Sequence, residues 1–157
     1  MPTALLLSRV RIKICGLTRA QDVLDAVRLG ADAIGFVLYE KSPRAISADQ
    51  AAALCRLLPP FVTPVLLFVN AQAEQVKQAL RLMPHALLQF HGDETPDQCD
   101  QFDHPYLKAA RIPIDGPGSS GFDLPRFTQT YASAQAILLD SLSPQFGGTG
   151  KTIDWDG

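Results

Sequence analysis

Two reactive side chains stand at the ends of apolar runs in this sequence. Cys15 closes the run inside Lys13-Ile14-Cys15-Gly16-Leu17-Thr18, and Asp140 closes Ala136-Ile137-Leu138-Leu139-Asp140. In parallel α/β sheets and barrels the C-terminal strand ends form the face where ligands bind, so a thiol and a carboxylate placed there could act as base and acid. A thiol needs a nearby cation or a helix N-terminus to lower its pKa. Lys13 lies on the strand face of Cys15 by the two-residue alternation, and a helix pattern opened by Thr18 follows closely. Without such context Cys15 would be a small buried hydrophobe, since free cysteines are among the most buried residues. Asp140 would need burial or another negative charge to keep its proton; otherwise it caps a turn.

Three further clusters carry polar groups at strand ends. Ser42-Pro43-Arg44 offers a planar guanidinium fork suited to gripping a carboxylate, or else a turn whose Arg makes a surface ion pair. In Gln89-Phe90-His91-Gly92-Asp93, Gln89 and His91 share one face, either lining a site or satisfying each other at its mouth, and Gly92 permits a tight turn. Asn70 and Asp93 read as turn residues. Gly147-Gly148-Thr149-Gly150-Lys151 lacks the Gly-x4-Gly-Lys-Ser/Thr spacing of a nucleotide P-loop; it reads as a flexible lid over the site that contributes N–H donors.

The elements that must position these groups alternate. Strands are expected at Arg11–Cys15, Ala33–Val37, Pro64–Val69, Ala86–Phe90, Tyr106–Ala110 and Gln135–Asp140. Helical apolar spacing joins Val23, Val27 and Gly30, then Ala51, Leu54, Cys55 and Leu58, then Ala73, Val76, Leu80 and Met83. Thr18-x-x-Gln21, Ser47-x-x-Gln50 and Thr95-x-x-Gln98 read as capping boxes, the last strengthened by Pro96. Residues 112–121, rich in Gly, Pro and Ser, read as a loop. Six βα units in one domain over residues 1–157 imply right-handed crossovers and a parallel sheet. Pattern alone leaves open whether the sheet is doubly wound or part of a (β/α)8 barrel, and length favours the open sheet. No Gly-x-Gly-x-x-Gly follows the first strand, so a dinucleotide site has no support.

Bulk composition narrows the partners. The chain has 157 residues, 46% of them hydrophobic, enough for one domain with a sizeable core. Fourteen basic and sixteen acidic residues give a net charge of −2 with no basic stripe, which argues against nucleic acid. No apolar run approaches the roughly 18 residues of a membrane span, and no signal peptide is visible. Three widely spaced cysteines fit reduced thiols in the cytoplasm rather than a disulfide framework or a structural zinc site. Monomer and homodimer are both compatible with the sequence.

Taken in order, Lys13-Ile14-Cys15-Gly16, Ser42-Pro43-Arg44, Phe68-Val69-Asn70, Gln89-Phe90-His91-Gly92-Asp93-Glu94, Leu138-Leu139-Asp140, Gly147-Gly148-Thr149-Gly150-Lys151 and Asp154-Trp155 resemble the phosphoribosylanthranilate isomerases of tryptophan biosynthesis. The resemblance runs from Arg11 to Trp155. It implies a (β/α)8 TIM barrel, of which this chain holds about six βα units, and so reverses the preference for an open sheet. It also implies the Amadori rearrangement of N-(5′-phosphoribosyl)anthranilate without metal or organic cofactor. Asp140 would be the general acid that opens the ring, and Cys15 the general base that takes the C2′ proton. Arg44 would hold the anthranilate carboxylate, with Lys13, Gln89, His91 and Gly148 also binding the small phosphorylated substrate. Family members continue through two more βα units that bind the phosphate, so the chain is expected to be C-terminally truncated. By itself it would then have little activity, the alternative being an inactive barrel fragment or an assembly unit lacking the phosphate site. An indole-forming synthase, the neighbouring phosphate-binding barrel, would be expected to rest on Lys and Glu instead.

Overall fold

A computed structural model describes residues 9–113 and 122–141. Strands and helices alternate along the chain: β1 (Lys13–Cys15), α1 (Ala20–Arg28), β2 (Ala33–Val37), α2 (Ala48–Cys55), β3 (Thr63–Phe68), α3 (Ala73–Leu82), β4 (Leu87–Phe90), α4 (Pro96–Asp100), β5 (Tyr106–Ile112), α5 (Leu124–Thr130) and β6 (Ala136–Ser141). All six strands are parallel and each pairs with its predecessor, giving the order β1-β2-β3-β4-β5-β6. That order decides between the two architectures left open by pattern. A doubly wound sheet reverses direction at a switch point and places helices on both faces. A sheet that never reverses, with right-handed crossovers throughout, keeps every helix on one side, as the wall of a (β/α)8 barrel does.

The two faces of this wall differ in content. Toward the helices, Ile34, Phe36, Leu66, Phe68, Leu88, Phe90 and Tyr106 pack with Val23, Ala51, Val76, Ala79 and Cys99 into one core cluster. On the opposite face a smaller cluster of Val37, Leu67 and Val69 packs with Cys15 and Tyr39. Short β1 is fixed at its start by Asp32, which accepts from the Ile12 N–H at 2.8 Å and pairs with Arg9 and Arg11. These donors hold the Asp32 carboxyl at about 2.

Two of the three expected capping boxes form. Ser47 accepts from the Gln50 N–H while Gln50 accepts from the Ser47 N–H, and Thr95 and Gln98 exchange the same pair. Thr18 does not cap. Helix α1 begins at Ala20, which makes Arg19 the N-cap, and no side chain satisfies its first turn. The Thr18 hydroxyl is therefore one residue out of phase with the helix. Helix α5 and its cap were not anticipated: Asp123 accepts from the Arg126 N–H at 2.8 Å. Observed strands match the expected runs to within two residues at each end, with β5 and β6 running further toward the C-terminus.

One buried carboxylate joins the ends of β3 and β4 to the body of β5. Glu94 accepts from the Asn70 N–H just after β3 at 2.7 Å and from the Gly92 N–H just after β4 at 2.9 Å. From β5, Lys108 reaches it at 3.0 Å and also donates to the Gly92 carbonyl at 2.7 Å. Both members of this ion pair are buried, and the Lys108 ammonium also lies 5.5 Å from the centre of the Tyr131 ring. Removing one partner of a buried pair strands the other charge and costs about 3–5 kcal/mol. Lys108→Met should therefore lower stability by about that amount, read from urea unfolding. Lys108→Met combined with Glu94→Gln should recover part of the loss, because no unpaired buried charge remains.

Candidate active site

The period-2 alternation of six strands in parallel register places Lys13, Cys15, Val37, Leu67, Val69, Gln89, His91, Leu138 and Asp140 on the face away from the helices. These side chains, with Tyr39, Ser42 and Arg44 from the loop after β2, line a cavity of about 250 Å³ at the C-terminal strand ends. Cys15 and Asp140, the thiol and the carboxylate singled out in the sequence, thus face one cavity from opposite edges of the six-stranded array.

Three glycines let the walls approach. A Cβ on Gly35 of β2 would lie 2.6 Å from the Cys15 Sγ, so only glycine admits the thiol there. Gly16 adopts φ +85°, a backbone conformation that glycine takes without strain. A side chain there would also meet the Arg44 guanidinium, which crosses the end of β1 and donates to the Cys15 carbonyl at 2.7 Å. Arg44 is thereby tied to the strand that carries the thiol. Among the described residues this is its one side-chain hydrogen bond, so the rest of its donor fork is uncommitted. At Gly92 a Cβ would strike Asn70, whose Oδ1 accepts from the Asp93 N–H at 2.8 Å. Asn70 and Asp93 are turn residues as expected, and they also tie the ends of β3 and β4 together.

Lys13, Gln89, His91 and Asp140 form a continuous hydrogen-bonded row across the cavity floor. The Lys13 ammonium donates to Gln89 Oε1. Gln89 Nε2 lies 2.9 Å from His91 Nδ1, and His91 Nε2 lies 2.9 Å from Asp140 Oδ2. Lysine has donors only, so Gln89 must receive it with its oxygen and donate with its nitrogen. His91 Nδ1 must then accept, which puts the ring proton on Nε2, pointing at Asp140. Burial holds the His91 pKa below 6.5, outweighing the opposing pull of Asp140, with Lys13 and Lys108 adding to the depression. The sequence placed Gln89 and His91 on one face but gave no sign that Lys13 and Asp140 would complete the row. Glu94 and Lys108, which anchor the loop after His91, were also missed. A lysine at a helix-facing position in the otherwise apolar Tyr106–Ala110 run was the available signal. Gly148 and the expected lid at Gly147–Lys151 lie outside the described residues. No group of His, Cys, Asp or Glu suited to a metal ion occurs among the described residues.

A family model described as N-(5′-phosphoribosyl)anthranilate (PRA) isomerase matches residues 12–157. The chain is 57% identical over 147 residues to the N-(5′-phosphoribosyl)anthranilate isomerase of Methylibium petroleiphilum, covering 94% of this chain and 66% of that protein. Among solved structures, phosphoribosyl anthranilate isomerase from Thermotoga maritima superposes with a TM-score of 0.79 at 38% identity, covering 94% of this chain and 69% of its own. A phosphoribosyl anthranilate isomerase in complex with reduced 1-(o-carboxyphenylamino)-1-deoxyribulose 5-phosphate matches with a TM-score of 0.72 at 35% identity over 86% of this chain and 66% of its own. The chain spans about two thirds of the length of the curated relatives it matches.

The depressed His91 pKa has a consequence for stability. The unfolded chain takes up a proton at His91 near 6.5, whereas the folded chain resists it to lower pH. Where the unfolded state binds more protons, stability rises with pH. The contribution of His91 is therefore fully present above 6.5 and lost as pH falls through the window beneath it. Urea unfolding on either side of that pH should show the dependence in the wild type and lose this increment in His91→Gln.

Proposed function

The chain belongs to the N-(5′-phosphoribosyl)anthranilate isomerase family, and from that premise we propose that it catalyses the Amadori rearrangement of N-(5′-phosphoribosyl)anthranilate to 1-(2-carboxyphenylamino)-1-deoxyribulose 5-phosphate in tryptophan biosynthesis. The observation that carries this reading is the shared cavity: Cys15, Asp140 and Arg44 face one space from strand ends and an adjoining loop.

In this reading Asp140 gives its proton to the furanose ring oxygen. The C1′–O bond breaks, the nitrogen lone pair forms the C1′=N bond, and the ring opens to a Schiff base. The Cys15 thiolate then takes the C2′ proton, and the electron pair of that bond forms C1′=C2′ while quenching the iminium. The resulting enolamine tautomerises to the ketone as its enol proton is lost and C1′ gains one. Every step moves protons within an isomerisation, so no metal or organic cofactor enters the scheme. Arg44, held over β1 by the Cys15 carbonyl, offers its remaining donors to the anthranilate carboxylate, the planar pairing that guanidinium forms best. Lys13, Gln89 and His91 complete the floor beneath the substrate, and Gly148 is assigned to substrate binding by the family resemblance alone.

The reading includes a small phosphorylated substrate, a monomeric or homodimeric state and a cytoplasmic location. Among the described residues no helix is long and apolar enough to cross a membrane, and the net charge of −2 supplies no overall attraction for nucleic acid.

Positioned acid-base groups contribute about 10²–10⁴-fold each. Cys15→Ala and Asp140→Asn in the full-length protein should each lower kcat by about that factor, followed as the loss of substrate fluorescence. Asp140→Asn should leave KM nearly unchanged, whereas Arg44→Ala should mainly raise it. The wild-type gene should also rescue a tryptophan auxotroph lacking the isomerase. A Cys15→Ala enzyme with near wild-type kcat would remove the base from the scheme.

A further inference from the structure

Lys13, Gln89 and His91 lie on the cavity floor, yet their polar atoms are engaged with one another and with Asp140 rather than left open to the cavity. We propose that the three are positioning residues for the catalytic acid, with His91 locked as the neutral Nε2–H tautomer so that the proton of Asp140 sits on the oxygen facing the substrate.

The polarity of the row follows from its ends. Lys13 can only donate, and it donates to Gln89 Oε1. The Gln89 amide nitrogen then faces His91 Nδ1 at 2.9 Å and donates to it. Nε2 must carry the ring proton and donates to Asp140 Oδ2, also at 2.9 Å. An acid with two equivalent oxygens can hold its proton on either one, but transfer to the ring oxygen needs it on the oxygen that meets the substrate. With Oδ2 committed as an acceptor, Oδ1 is the oxygen left to hold the proton.

The opposite tautomer would defeat the acid. An imidazole protonated on Nδ1 would present a bare Nε2 to Asp140, accept its proton and hold it away from the substrate. Gln89 prevents this by occupying Nδ1 as a donor, and Gln89 cannot turn around because Lys13 holds its oxygen. Formation of the imidazolium is opposed as well. His91 is buried, and that desolvation outweighs the pull of Asp140 toward the imidazolium, with the charges of Lys13 and Lys108 adding to the opposition. Gln89 is itself 1% exposed, so no solvent competes for its amide.

This assignment rests on the isomerase reading of Asp140, and two measurements on the full-length protein separate the two. The first is the ¹⁵N spectrum of the His91 ring in substrate-free protein at neutral pH. A protonated Nε2 with a bare Nδ1 is expected in the wild type, and Gln89→Glu should convert it to Nδ1–H or to imidazolium. The second is turnover. Gln89→Glu should lower kcat about tenfold or more, with the roughly 10²–10⁴-fold contribution of a general acid as the ceiling, with KM nearly unchanged and the acid limb of the kcat–pH profile displaced. His91→Gln, whose amide nitrogen can still donate to Asp140, should recover most of the kcat lost in the isosteric but donor-free His91→Leu.

A wild-type His91 protonated on Nδ1 overturns the proposal. So does a Gln89→Glu enzyme with an altered tautomer but unchanged kcat and pH profile. If the wild type shows the Nε2–H tautomer and turns over no N-(5′-phosphoribosyl)anthranilate, the isomerase reading fails instead, and the positioning role goes with it for a reason the spectrum identifies.

Discussion

The carboxylate of Glu94 holds the upper rim of this fold together. Its oxygens receive an N–H from the end of β3, an N–H from the end of β4 and the ammonium of Lys108 on β5. Burying an isolated carboxylate would be prohibitive; burying one with a cation and two backbone donors satisfies its lone pairs and cancels its charge. The arrangement makes the ends of β3 and β4 and the body of β5 mutually dependent. Gly92, one of the three donors, directly follows His91, so the helix-facing ion pair sets where the cavity-facing imidazole lies.

The two sides of the sheet thus divide their work by the alternation of a strand. Lys108 and Phe90 point to the helical layer and build the core, while Gln89, His91 and Asp140 point to the cavity and arrange polar groups. Neither side could be shifted alone. A one-residue slip in β4 would send Gln89 into the core and Phe90 into the cavity, and the apolar cluster around Phe36, Leu66, Leu88 and Phe90 resists that slip. Hydrophobic packing on one face therefore fixes the register that polar chemistry needs on the other.

Much of this was legible in the sequence because it is local. Strand positions followed from apolar runs, and the caps at Ser47 and Thr95 followed from a spacing of three residues. Cys15 and Asp140 could be placed at a strand mouth because the end of an apolar run is visible without knowing its neighbours. Thr18 misled because a capping box is defined relative to the helix start, which falls one residue later than the motif requires. The Glu94–Lys108 pair and the link from Lys13 to Gln89 were not legible, since each joins residues from different βα units whose adjacency exists only after the sheet has formed. The choice between an open sheet and a barrel wall was hidden for the same reason. Strand order is a property of pairing, and no single strand encodes it.

Once pairing is in place, the residue types across the cavity floor leave little freedom. The row begins at a side chain that has donors alone and ends at a carboxylate that, when ionised, only accepts. Everything between must therefore take a hydrogen bond on one side and give one on the other, and glutamine and neutral histidine are side chains able to do both. A leucine in the row would break it, and a glutamate would reverse it. The direction of the row is then dictated from the Lys13 end, on β1, and felt at the Asp140 end, on β6. The first and last strands of the array are in this way coupled through β4 without pairing to each other, and of the thiol and the carboxylate that share the cavity, one stands beside the start of the polar chain and the other ends it.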